Sequence, residues 1–96
     1  MPQTEEIKEM RLAIVVGISK ALEYKAQNPR ADMEDILQHV MKSIKAKGDA
    51  KLAALAAATR AIKYREKLPA EKGKKIMQLA LDKTDEIILE IQKDRH

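Results

Sequence analysis

Histidine and carboxylate side chains are the groups with which a short helical chain could bind a metal ion, and this sequence has two histidines, His39 and His96. Bundles that hold two iron or manganese ions carry Glu-x-x-His on two helices. Ile36 and Lys93 stand where those glutamates would be. We therefore expect no metal and no cofactor, assign no role to His96, and interpret Asp35 and His39 as an exposed i, i+4 pair on one helix.

Residues that could act in catalysis are also few. Ser19 and Ser43 have no flanking glycine elbow, cysteine is absent, and the three glycines are too scattered to cradle a phosphate. Four acidic residues lie along the last predicted helix: Asp82, Asp85, Glu86 and Glu90. Acid–base catalysis needs a carboxyl group that is buried or beside a like charge, whereas these are interspersed with lysines and opposite the apolar positions. The sequence predicts that the protein is not an enzyme.

Basic residues concentrate in one region of the second half of the chain. This basic corner consists of Arg60, Lys63, Lys67, Lys72, Lys74 and Lys75. Such a cluster could contact the phosphates of a nucleic acid with little sequence specificity. Basic residues at the C-terminal turn of a helix are favoured by its dipole in any protein, so a solvated surface explains the first three and is the favoured interpretation of the cluster. The last three follow Pro69, at a helix start, where the dipole does not favour them.

Three interruptions divide the chain into four helices that must position these groups. Asn28-Pro29, Gly48 and Leu68-Pro69 are typical of helix ends, and Asp32 is typical of an N-terminal cap. The predicted helices cover residues 4–27, 33–47, 50–67 and 70–93, the last with an alternative, later start near residue 74 because of Gly73. Short connections favour an all-α, four-helix antiparallel up-down-up-down bundle that forms a single domain over residues 1–96.

Apolar spacing predicts the interior of this bundle. We expect these residues to be buried: Ile14, Val40, Ile44, Leu55, Ile62 and Ile88. Gly17 lies in the middle of the first helix at a cost of about 1 kcal/mol relative to Ala, which indicates close approach of a neighbouring backbone. The alanines of the third helix predict a slim, tightly packed inner helix.

The first and last helices carry more large apolar residues than one buried face needs. Six of them are predicted to lie outside the core and to form a partner interface: Leu12, Val15, Val16, Ile76, Leu79 and Leu89. A second copy of the chain or another protein would cover them. We therefore expect a protein–protein interaction module, either self-associating as a homodimer or an adaptor or regulatory subunit.

Overall composition limits the alternatives to this function. The net charge of +4 and the pI near 9.4 permit nucleic acid as the second candidate partner, but two tyrosines without Phe or Trp offer little for base stacking. No secretory signal follows Met1, and the longest apolar run, residues 12–18, is too short to span a bilayer. We expect a cytoplasmic protein without membrane attachment.

Overall fold

The computed structural model describes the backbone of residues 2–93 and the side chains of residues 5–93, so Met1 and His96 lie outside the described residues. Within this range every regular element is a helix: α1 (Pro2–Gln27), α2 (Met33–Ser43), α3 (Gly48–Lys67), α4 (Gly73–Leu81) and α5 (Thr84–Lys93). The predicted all-helical class is confirmed. No helix in the described part of the chain is both long and apolar enough to cross a membrane.

The ends of α2 show which sequence signals decide a helix boundary. The Asp32 side chain accepts a hydrogen bond from the backbone N–H of Asp35 at 2.9 Å, which confirms the predicted cap. The predicted end at residue 47 is wrong, because Ile44 is already extended and residues 44–47 are not helical. This extended link lets Ile44 pack against the core. Gly48 follows it with φ of 60°, the left-handed geometry expected of glycine there.

The fourth predicted helix is divided into two. α4 begins at Gly73, which agrees with the later of the two predicted starts, but Asp82 and Lys83 form a turn before α5. The Thr84 hydroxyl donates a hydrogen bond to the carbonyl oxygen of Leu81 at 2.6 Å. It thereby occupies an oxygen that a continuous helix would pair with the N–H four residues later. The prediction of one uninterrupted helix was wrong, because the chain turns at Asp82 and Lys83.

The closest packing in the described chain joins α1 to α3. A β-carbon on Gly17 would lie 2.7 Å from the backbone oxygen of Ala54, so the predicted close approach of a neighbouring backbone is confirmed. Ala13 and Ala50 line one groove between the same helices. Gly17 and Ala54 each lie four residues after Ala13 and Ala50, respectively, so α1 and α3 run in the same direction. This arrangement is compatible with helices that alternate up and down.

Two clusters of buried side chains form the interior, and α1 contacts all four other helices. The first cluster joins α1, α3, α4 and α5 and includes Met10, Ala13, Ile14, Ile18, Ala50, Ala53, Ala54, Ala57, Ala61, Ala80, Ile87 and Ile88. The second joins α1, α2 and α3 and consists of Ala21, Ile36, Val40, Ala58 and Ile62. Ile44 and Leu55, predicted to be buried, are only half-buried. The reason is that α3 packs against α1 through its alanines, which leaves Leu55 at the edge of the second cluster.

Candidate interaction surfaces

The central part of α1 has apolar residues on opposite sides of the helix. Met10, Ile14 and Ile18 point into the first cluster and are buried. On the other side, Leu12 is 69% exposed, Val15 44% and Val16 36%. We call Leu12, Val15 and Val16 the α1 stripe. Their i, i+3, i+4 spacing places them side by side on the helix surface, as the predicted partner interface requires.

A groove borders one flank of the α1 stripe, between α1 and the extended link from α2 to α3. It has a volume of ≈ 410 Å³. Its lining consists of Glu9, Leu12, Ala13, Val16, Ser43, Ile44, Lys45, Ala46, Lys47 and Ala50. Apolar side chains therefore continue from the stripe onto the link, and the lining also includes the charged residues Glu9, Lys45 and Lys47.

A second depression borders the other flank, at the turn between α4 and α5. It is lined by Arg11, Val15, Leu81, Asp82, Thr84 and Asp85. The Arg11 guanidinium forms an ion pair with the Asp85 carboxylate, which joins α1 to α5 beside the stripe. Leu89 lies one helical turn after Asp85 and is 63% exposed. It is therefore on the same side of α5 as this ion pair.

Two of the six predicted interface residues are less accessible than expected. Ile76 is 0% exposed, so its assignment to a partner interface was wrong. It lies one helical turn before Ala80, and both are buried on the face of α4 that packs in the bundle. α4 packs against α3, whose buried side chains are mostly alanines, and the sequence interpretation did not extend this packing to α4. Leu79 is half-buried.

Other exposed apolar residues were not predicted. Leu52 on α3 is 57% exposed, and Met41 on α2 and Leu68 after α3 are also exposed. Leu52 is not among the buried residues of α3, most of which are the alanines that face α1. None of these three residues lines either groove beside the α1 stripe.

The basic corner is brought together only in part. The first three of its residues line a groove of ≈ 420 Å³ along α3: Arg60, Lys63 and Lys67, with Ala56, Thr59 and Tyr64. The remaining three lysines, at residues 72, 74 and 75, are exposed but do not line this groove. Two carboxylates on α5 already neutralise the Arg60 guanidinium, Glu90 at 3.5 Å and Glu86 at 3.9 Å. These contacts reduce the positive charge available to an anion at that end of the groove.

The side chains considered for metal binding or catalysis have other contacts. The His39 ring is half-buried and stacks on the Tyr24 ring, with centroids 4.4 Å apart, so its interpretation as part of an exposed pair with Asp35 needs correction. Asp82, Asp85, Glu86 and Glu90 are exposed. Within the described residues, no group of three or more His, Cys, Asp or Glu side chains is placed to hold a metal ion.

Comparison of the chain with protein-family models, with curated proteins and with solved structures gave no match. Only the surfaces of the chain itself therefore bear on its function.

Proposed function

We propose that this protein is a small helical interaction module of the cytoplasm that acts by association rather than by catalysis, and that it self-associates through the α1 stripe. The observation that supports this proposal is the exposure of Leu12, Val15 and Val16 side by side on a helix whose opposite side is already buried. We also infer that the helices alternate up and down, since α1 and α3 run in the same direction.

Burial of the α1 stripe at an interface would contribute favourable free energy to association. Removing a Val or Leu side chain from water contributes about 1.5–3 kcal/mol when burial is complete. Single exposed apolar residues are normal on a protein surface, but three adjacent ones between two grooves form a continuous surface of the kind that marks an interaction site. The Arg11–Asp85 ion pair lies at the border of this surface, and because both side chains are largely exposed it contributes little to holding α5 there.

Light scattering at micromolar concentration tests the proposal. We expect a mass about twice that of the 10.8 kDa chain. Replacing Leu12→Lys together with Val16→Glu should return the mass to that of one chain, because charged groups would be buried without partners. Leu52→Lys is the matched control, since Leu52 is a comparably exposed leucine outside the stripe. A wild-type protein that stays monomeric, or a stripe variant that stays dimeric, would exclude this function.

Nucleic-acid binding through the basic corner is the second candidate function. The observation in its favour is the groove on α3 that has Arg60, Lys63 and Lys67 in its lining. Against it, Glu86 and Glu90 are within ion-pair distance of Arg60, and Tyr64 is the sole aromatic ring in the described lining of the groove. We expect any binding there to be weak, salt-dependent and without sequence specificity.

A further inference from the structure

We draw no further inference here: the strongest candidate, the groove between α1 and the extended link from α2 to α3, has nothing in the described part of the chain to show what covers its apolar lining.

Discussion

Gly17 is the residue at which the backbone of the protein leaves no space for a side chain. The oxygen, the Cα and the Cβ of Ala54 all lie within 3.1 Å of the place where a β-carbon would be. A glycine inside a helix costs about 1 kcal/mol relative to alanine. Two of the three neighbouring atoms belong to the backbone of Ala54, so a side chain at residue 17 would push the two helices apart. Glycine at this position therefore allows α1 and α3 to pack closely.

Gly17→Ala should therefore lower the free energy of unfolding, by about 1–3 kcal/mol, although it raises helix propensity. Urea denaturation followed by circular dichroism measures the change. Gly73→Ala is the matched control, because no atom lies within 4 Å of the place where its β-carbon would be and its φ is not positive. That variant should be neutral or stabilised by up to about 1 kcal/mol. A Gly17→Ala protein as stable as wild type would mean that α1 and α3 can separate at this point without loss.

The roles of individual small and capping residues were largely predictable from the sequence. A glycine in the middle of a helix costs stability, and a run of alanines makes a helix slim. The close approach at Gly17 followed from its cost, and the capping by Asp32 followed from its position before the second helix. The burial of Ile76 was not predicted, since spacing along one helix does not reveal how much room its neighbour leaves. His39 was misjudged for a similar reason: its stacking partner, Tyr24, belongs to another helix.

The helical class of the chain was predictable, whereas the end of α2 and the turn between α4 and α5 were not. The sequence carries apolar spacing through residues 82 and 83 without glycine or proline, so nothing in the periodicity indicates the turn between α4 and α5. Thr84 gives a weak signal at most, because a threonine hydroxyl competes for backbone carbonyls but does not by itself end a helix, as Thr59 in α3 shows. The early end of α2 likewise depends on Ile44 packing against the core from an extended link.

Thr84→Val tests whether the hydroxyl holds the turn between α4 and α5. The change keeps the shape of the buried side chain but removes its hydrogen bond to Leu81, so unfolding should become easier by about 1 kcal/mol. Thr59→Val is the control, since the Thr59 hydroxyl donates to Leu55 within an unbroken helix. There the change should be within about 0.5 kcal/mol. Equal effects at both positions would show that the turn does not depend on Thr84.

For the whole molecule, the distribution of apolar surface and of charge separates the two candidate functions. The chain covers most of its large aliphatic side chains and leaves the α1 stripe outside. Four of the six interface predictions are exposed because α1 and α5 each have more apolar residues than their contacts can cover. The basic corner was predicted as one cluster, but one groove on α3 brings only Arg60, Lys63 and Lys67 together, since sequence proximity does not fix which groove a side chain lines.

Salt dependence decides whether the basic corner binds nucleic acid. We expect no binding to duplex or single-stranded probes at about 0.15 M salt, where screening acts over about 8 Å. A fluorescence anisotropy titration measures this. Should binding persist at that ionic strength and disappear when Lys63, Lys67 and Lys74 are changed to Glu, the second candidate function would replace the first. The variant with Leu12→Lys and Val16→Glu, which changes the apolar α1 stripe and leaves the basic corner intact, is the matched comparison.

The stacked rings of Tyr24 and His39 give the protein a built-in spectroscopic reporter. A tyrosine ring with its centroid 4.4 Å from an imidazole shifts the resonances of the imidazole protons upfield. The sequence has no Phe or Trp and only two tyrosines, so few other rings can obscure this signal. Because Tyr24 belongs to α1 and His39 to α2, the His39 resonances follow the docking of these two helices. Titrating the protein concentration then distinguishes association at the α1 stripe, which leaves this signal in place, from association that opens the bundle.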